Sequence, residues 1–236
     1  MYEIKTRVGI DQSGEDGRQT IIGILNTIQN CTQFWLEAQT QLKKCMAENN
    51  FSIFIVSRQL EILRPAKYGE TVTARTSIYN CNSYFGYRNT IILGEDGALC
   101  ARSYAQVVFV DLKTGAPARL SGEILDSIEC FEKFPMEYLP KKIALPERPG
   151  TPGPPIKISP FDIDFNHHVN NTRYVQMACE KLEDFDKFSR IRTEYKKAAK
   201  FGDLIIPMVF TETSRRIVRL GDKSGEDFCV VEFSNY

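Results

Sequence analysis

Histidine is scarce in this chain, whose 236 residues include only His167 and His168. No apolar run is long enough to span a membrane. The 30 basic and 30 acidic residues cancel to a net charge of zero, which argues against a nucleic-acid-binding protein. The sequence has no Gly-x-Ser-x-Gly nucleophile elbow, no Walker phosphate loop and no Gly-x-Gly-x-x-Gly fingerprint. The usual sequence motifs of serine hydrolases and nucleotide-binding proteins are therefore absent from this chain.

The seven cysteines are widely separated, and no two of them lie within three residues of each other. This spacing does not match a zinc site, and two adjacent histidines cannot both face one metal from a regular element. We therefore expect no metal and no cofactor. An odd number of separated thiols suits a reducing cytoplasm. The amino terminus begins directly with an alternating pattern that does not resemble a signal or transit peptide, which also favours a cytoplasmic location.

Apolar periodicity predicts an α+β fold in the first half of the chain. Alternation over residues 2–10 indicates a strand, and apolar residues from Thr20 to about Glu48 follow one helical stripe. Strand-like runs then cover 51–62, 71–79, 85–93 and 99–111, and a short helix is expected at 122–131. A long helix followed by antiparallel strands predicts a sheet that wraps around the helix.

Prolines concentrate between Pro140 and Pro155. Because proline fixes φ and lacks an amide donor, we expect this segment to be a semi-rigid connector outside the core. It separates an expected first domain at 1–139 from an expected second domain at 156–236, with the linker at 140–155.

The second half repeats features of the first. Residues 66–70 read Ala-Lys-Tyr-Gly-Glu and residues 199–203 read Ala-Lys-Phe-Gly-Asp, at an offset of 133 (199 − 66). Gly-Glu-Asp at 94–96 recurs at 225–227, at an offset of 131 (225 − 94). A helix predicted at 169–182 precedes the second copy, as the long helix precedes the first. The common order predicts an internal duplication.

Both histidines lie in a polar segment, residues 162–174, that leads into the second predicted helix. Imidazole has the side-chain pKa nearest neutrality and is the usual general base. Alternate side chains of an extended segment project from one side, so Asp164, Asn166 and His168 are expected to face one pocket while His167 points away. The competing interpretation is a loop whose Asn and Asp side chains only cap the helix.

The predicted helix start follows His168 directly. Its unpaired backbone donors and positive dipole end suit a developing oxyanion, and the candidate donors are the amides of Val169 and Asn170. A general base beside an oxyanion site indicates acyl transfer to water.

Residues 164–174 read Asp-Phe-Asn-His-His-Val-Asn-Asn-Thr-Arg-Tyr. This run closely resembles the Asp-x-Asn-x-His-Val-Asn-Asn-x-x-Tyr signature of acyl-acyl-carrier-protein (acyl-ACP) thioesterases, and Glu180 and Glu194-Tyr195 also stand where that family has them. The resemblance covers nearly the whole chain and implies two tandem hotdog domains, each an antiparallel sheet wrapped around a long helix. It resembles a bacterial-type member, because plant relatives carry a transit peptide.

The resemblance implies hydrolysis of fatty acyl-ACP thioesters, which releases free fatty acid and ends chain elongation. Asp164, Asn166 and His168 match the family's catalytic positions. The first domain would bind the acyl chain around residues such as Ile24, Ile28 and Trp35, although these are ordinary core positions as well. The second domain would be catalytic. Whether His168 or Asp164 is the base is left open, and so is the preferred chain length.

The chain departs from the family at Ala198 and Ala199, where the family often has Glu and Cys. A nucleophilic cysteine at this position is thereby excluded, and the residue that replaces the missing acid is not identified. Cys179 lies on the helix after His168 and is expected to be buried rather than nucleophilic. Acyl-CoA hydrolysis, or acyl binding without catalysis, are the alternative functions.

The implied partner is an acyl carrier protein that bears a phosphopantetheine-linked acyl chain. Carrier proteins of this kind are acidic, so the docking surface should be basic. The candidates are Lys196, Lys197 and Lys200, followed by Arg215, Arg216 and Arg219. The sequence leaves open whether the chain is a monomer or a homodimer.

Overall fold

Contacts within the chain divide it into two units, Met1–Leu139 and Pro140–Tyr236, and the computed structural model describes all residues of both. Each unit contains an antiparallel sheet and a helix that begins after a short polar loop. None of the helices combines the length and apolarity needed to cross a membrane.

The first unit has five strands and three helices. They are β1 (Tyr2–Arg7), α1 (Ile21–Ala38), α2 (Thr40–Glu48), β2 (Phe51–Ile62), β3 (Thr71–Cys81), β4 (Phe85–Leu93), β5 (Leu99–Asp111) and α3 (Gly122–Ser127). The strands are antiparallel in the order β1-β3-β4-β5-β2. The predicted bounds of β2, β4 and β5 are confirmed to the residue.

Helix α1 packs its apolar stripe against the sheet, with Ile24, Leu25 and Ile28 almost fully buried. Thr20 caps the helix, because its hydroxyl accepts a hydrogen bond from the amide of Gly23 at 3.0 Å. The prediction of one helix to Glu48 is wrong in one respect. At Gln39 the backbone leaves the helical region (φ −90°, ψ 75°), which separates α1 from α2.

The second unit has six strands and one α-helix. They are β6 (Thr151–Pro152), β7 (Ile156–Lys157), α4 (Asn171–Cys179), β8 (Arg190–Tyr195), β9 (Leu204–Thr211), β10 (Arg215–Gly221) and β11 (Asp227–Ser234). The order of the main sheet is β8-β11-β10-β9, and the two-residue strands β6 and β7 both pair with β9. Helix α4 is shorter than the predicted 169–182 and buries Tyr174, Val175 and Ala178.

The proline-rich segment 140–155 is more than a connector, contrary to the expectation that it lies outside the core. Ile143 is 3% exposed and packs with Phe210, Ile217 and Val230. The amide of Ile143 also donates to the buried carboxylate of Glu194 at 3.0 Å. Few regular hydrogen bonds are available to a proline-rich chain, so this segment is held by side-chain burial and by single backbone contacts.

The two units repeat one local arrangement around the start of their main helix. The helices begin at Ile21 and Asn171, 150 residues apart (171 − 21). Each follows a 3₁₀ turn, at Ile10–Gln12 and Pro160–Asp162. The loop then donates to the repeated Ala: the amide of Gln19 to the carbonyl of Ala66 at 2.7 Å, and that of Val169 to Ala199 at 2.9 Å. These matching contacts support the predicted duplication.

Candidate active site

Residues 162–170, called the site loop below, form a short hairpin that leads into α4. Ile163 and Val169 pair as an isolated antiparallel bridge, which brings the two ends of the loop together. The carbonyl of Asp164 accepts a hydrogen bond from the amide of His167 at 2.9 Å. The amide of Asp164 donates to the carbonyl of His168 at 3.0 Å. The site loop is therefore a closed turn.

The expectation of an extended backbone from Asp164 to His168 is wrong. The carboxylate of Asp164 accepts from the amide of Asn166 at 2.9 Å, a local bond that stabilises a turn. His167 occupies the left-handed region at φ 61°, which reverses the chain. The alternation of side chains in an extended strand therefore does not apply, and it gives no reason for Asp164, Asn166 and His168 to share a face. The turn keeps these three residues within one short loop instead.

Exposure differs among the polar residues of the site loop. Asn166 and His167 are exposed, whereas Asp164 and His168 are partly buried. The exposure of His167 agrees with its expected outward position. The imidazole of His168 is partly buried next to the end of the bridge, with its Nδ1 enclosed by the protein. Of the two histidines, His168 is therefore the one that packs against the fold.

The backbone amides of Val169 and Asn170, expected as oxyanion donors, both bond within the protein. The amide of Val169 donates to the carbonyl of Ala199 at 2.9 Å, and the amide of Asn170 donates to the carbonyl of Asp162 at 2.8 Å. An amide that is already satisfied in the fold is a poor donor to a transient oxyanion. The structure corrects this part of the sequence interpretation.

Helix α4 begins at Asn171, two residues later than expected (171 − 169), because Asn170 is its cap. The side-chain oxygen of Asn170 accepts from both the amide and the hydroxyl of Thr172, each at 2.9 Å. The first amides of a helix have no intrahelical acceptor. With the amide of Thr172 capped, the amide of Asn171 is the next donor at the positive end of the helix dipole.

Ala199 connects the site loop to α4 through its backbone. Its carbonyl accepts from Val169, and its amide donates to the hydroxyl oxygen of Tyr174 at 2.8 Å. Ala199 is fully buried, and burial raises the pKa of Tyr174, so this hydroxyl stays neutral. The sequence identified Ala199 as part of the repeated segment and by the thiol that it lacks, and neither observation predicted these backbone contacts.

Two family descriptions match this chain along most of its length. The acyl-ACP thioesterase N-terminal domain matches residues 1–128, and the acyl-ACP thioesterase C-terminal domain matches residues 154–223. The chain belongs to the acyl-ACP thioesterase family. It is therefore a thioester hydrolase. No curated protein sequence gives a significant match.

Several solved structures share the fold. An acyl-ACP thioesterase from Bacteroides thetaiotaomicron has a TM-score of 0.87 at 19% identity, covering 98% of this chain and 96% of its own. A 12:0-ACP thioesterase from Umbellularia californica has a TM-score of 0.87 at 15% identity, covering 99% and 96%. A putative oleoyl thioesterase from Lactobacillus plantarum has a TM-score of 0.81 at 18% identity, covering 98% and 94%. The predicted tandem hotdog fold is confirmed.

Glu180 and Glu194, two of the three other residues that match the family in sequence, have clear structural contacts. Glu180 ends α4 and accepts a hydrogen bond from the side chain of Gln176 at 3.1 Å on an exposed face. Glu194 is buried in β8 and accepts from the amide of Ile143. Ala198, where the resemblance implied an acid, is exposed. No carboxylate in these contacts takes over that position.

Cys179, on the same helix as Tyr174, is buried at the end of α4. Burial raises the pKa of its thiol to about 12, because the interior disfavours the charged thiolate. The thiolate is the reactive form of cysteine. Cys179 is therefore a core residue at neutral pH, in agreement with the expectation from sequence.

The lysines expected to bind the carrier protein differ in their partners. Lys196 pairs with Asp227 at 2.8 Å, and Lys197 lies between Asp222 and Glu226, at 3.3 and 2.8 Å. The hydrogen bonds to Glu226 and then Asp222 raise the pKa of Lys197. Lys200 is exposed and forms no ion pair. Of the three, only Lys200 presents an uncompensated charge.

Proposed function

We propose that the chain hydrolyses fatty acyl thioesters of an acyl carrier protein to free fatty acid, at the site loop and the start of α4. The observation that carries the proposal is the closed turn that holds Asp164, Asn166 and His168 next to a capped helix start. Membership of the acyl-ACP thioesterase family supports the carrier protein as the donor of the acyl group.

In the proposed mechanism His168 removes a proton from water, and the water oxygen attacks the thioester carbonyl carbon. The amide of Asn171 stabilises the resulting oxyanion, in place of the two amides that are bonded within the fold. Collapse of the tetrahedral intermediate breaks the carbon–sulfur bond. The proton from His168 goes to the departing phosphopantetheine thiol, and the acyl group leaves as a carboxylic acid.

Asp164 and Asn166 are proposed to orient the base and the water. One carboxylate oxygen of Asp164 accepts from the backbone of the turn, and the other is available to His168 or to the attacking water. An alternative assigns the base to Asp164 and substrate binding to His168. Because Ala198 and Ala199 supply neither an acid nor a thiol, hydrolysis in this chain proceeds without an acyl-enzyme on a cysteine.

We further propose that the first unit, residues 1–139, binds the acyl chain and that the second unit is catalytic. An apolar cavity of ≈ 70 Å³ between α1, α2 and the sheet of the first unit supports acyl binding there. The loop of the first unit that corresponds to the site loop has Gly14, Asp16 and Arg18 where the site loop has Asp164, Asn166 and His168. It contains no imidazole.

The decisive experiment is thiol release from matched acyl-ACP and acyl-CoA substrates over a range of chain lengths. We expect faster turnover of acyl-ACP, and equal or faster turnover of acyl-CoA would contradict a carrier-protein enzyme. The chain length of highest turnover would define the preference.

A cytoplasmic location and a monomeric or homodimeric state stay predictions from the sequence. Cell fractionation can check the location, and light scattering can check the oligomeric state.

Replacement of His168 by Ala should lower kcat by about 10²–10⁴-fold, the usual contribution of a general base. The matched control is His167→Asn, at the exposed neighbouring position where Asn tolerates a positive φ. We expect the control to keep near-normal turnover. Retained activity in His168→Ala would refute the assignment, and loss in both variants would indicate that the turn, rather than the imidazole, was damaged.

A further inference from the structure

The cavity of the first unit is apolar along most of its wall. It lies between the end of α1, the start of α2 and the inner face of β2–β5. Its lining includes Trp35, Leu42, Ile53, Ile78, Val107 and Phe109. At ≈ 70 Å³ it has room for a short aliphatic segment. Such a wall suits a hydrocarbon chain.

One residue of this wall is a cation. Gly86, Arg88 and Ile92 are buried at alternate positions of β4 and so share the face of the strand that points inward. Arg88 is only 5% exposed. A buried arginine is uncommon unless it is paired.

Arg88 has few partners in the fold. Its guanidinium stacks on the ring of Trp35, 3.9 Å from the ring centroid, and one nitrogen donates to the hydroxyl of Thr76 at 3.0 Å. Guanidinium carries five N–H donors, and the structure places no carboxylate beside this one. Burial lowers the pKa of Arg88 to about 9, and the positive charge of Arg58 acts in the same direction. The group remains charged at neutral pH.

We propose that this cavity binds the carboxylate end of an aliphatic chain, with the carboxylate on the guanidinium of Arg88 and the chain along the apolar wall. A carboxylate accepts two parallel N–H donors from guanidinium and supplies the charge that the fold does not. Trp35 holds the guanidinium plane in place, so binding requires little reordering. Binding in this cavity can be measured without turnover, whereas both sources of the carboxylate named below rest on the proposed hydrolysis.

Two sources can supply the same chemistry. One is the free fatty acid that hydrolysis releases. This product would bind in the cavity of the first unit and regulate the rate of hydrolysis. The other is an acyl substrate that carries a carboxylate at its far end. Both place a carboxylate on Arg88 and methylene groups against residues such as Ile53 and Phe109.

Trp35 is the only tryptophan of the chain and lines the cavity, so its fluorescence reports directly on binding. We expect hexanoate to change this fluorescence with an affinity at least tenfold higher than that of 1-hexanol. In Arg88→Gln the two ligands should bind equally weakly. The matched control is Arg75→Gln, which alters an exposed arginine of β3 that pairs with Glu3. The control should keep the preference for hexanoate.

Equal affinity of the unaltered protein for hexanoate and 1-hexanol would overturn the proposal, whether or not Arg88→Gln folds. Preference for hexanoate in Arg88→Gln would overturn it as well. The same titration in His168→Ala separates this site from catalysis, because binding should persist without turnover. Inhibition of hydrolysis by hexanoate would identify the released acid as the source. Faster hydrolysis of a hexanedioyl than of a hexanoyl thioester would identify the substrate.

Discussion

Ala199 holds the site loop and α4 together with its backbone alone. The amide donates to Tyr174 and the carbonyl accepts from Val169, so one peptide unit fixes both the loop and the helix. Its methyl group is fully buried and takes no part in this. Ala199 therefore has a structural function that depends on its backbone and not on the identity of its side chain.

Tyr174→Phe tests this connection. Removing the hydroxyl leaves the buried amide of Ala199 without an acceptor, which should lower the free energy of unfolding by about 1–3 kcal/mol. Urea denaturation measures the change, and kcat should fall as the loop loosens. Tyr68→Phe is the control. Tyr68 is an exposed aromatic residue in segment 66–70 of the first unit, which corresponds to the segment 199–203 that contains Ala199. Equal stability of the two variants would refute the connection.

At this scale the sequence named candidate residues for the site but did not predict the backbone geometry that holds them. Asp164, Asn166 and His168 could be named from a short motif. The turn that holds them depends on a left-handed His167, and few sequence signals predict that conformation for a residue other than glycine. Gly17 has the same conformation in the first unit at φ 70°, so alignment of the two loops at the offset of 150 was the available signal.

The oxyanion prediction failed for a related reason. Unpaired donors at a helix start are a sound general expectation. The acceptor of the amide of Val169 is Ala199, thirty residues away in sequence (199 − 169), and its pairing arises only from the tertiary fold. Arg88 could have been noticed as the one charged residue at an inward position of β4, but the stacking on Trp35 could not.

At the scale of elements, the starts of α1 and α4 are stabilised in the same way, but only one of them lies next to candidate catalytic residues. Thr20 caps α1 and Asn170 caps α4, each with a side-chain oxygen on an amide of the first turn. Only the second cap stands beside a histidine. The cap of α4 therefore contributes to stability and also fixes the amide of Asn171 in the proposed mechanism.

Asn170→Ala and Thr20→Ala separate these two contributions. Loss of either cap should lower the free energy of unfolding by about 1 kcal/mol, the usual cost of removing a cap. Only Asn170→Ala should also lower kcat, because the start of α4 frays, and Asn170→Asp should restore both. Denaturation curves and thiol-release assays on the two variants give the comparison. An equal loss of kcat in Thr20→Ala would contradict a specific function of the α4 start.

Strands were predicted more accurately than helices. The bounds of β2, β4 and β5 follow from apolar β-branched and aromatic runs between clear turns, for example Gly94–Gly97. The break at Gln39 was not predicted, because the apolar stripe continues through it to Leu42. Burial of Leu42 against the sheet requires α2 to change direction. This change depends on tertiary contacts, which the apolar pattern of the sequence does not show.

Charge at the scale of the whole molecule is balanced locally as well as in total. Basic residues that could have formed a docking patch are paired with acids: Arg215 with Glu212 and Glu232, Arg216 with Asp184, and Arg219 with Asp227. A net charge of zero gives little long-range attraction to an acidic carrier protein, and these paired arginines add little to it. Recognition has to rely on local, uncompensated cations.

Lys200 is such a cation, and it adjoins Ala199 at the site. Lys200→Glu should raise KM for acyl-ACP by about two- to fivefold with little change in kcat, in keeping with the modest energy of an exposed ion pair. The matched control is Lys67→Glu, because Lys67 has the same place in the first unit: the amide of Lys67 donates to Glu70 as that of Lys200 does to Asp203. An acyl thioester of N-acetylcysteamine, which has no carrier, should be hydrolysed equally by all three proteins. If KM for acyl-ACP rises equally in both variants, the carrier does not dock at Lys200, and the added negative charge acts without regard to its position.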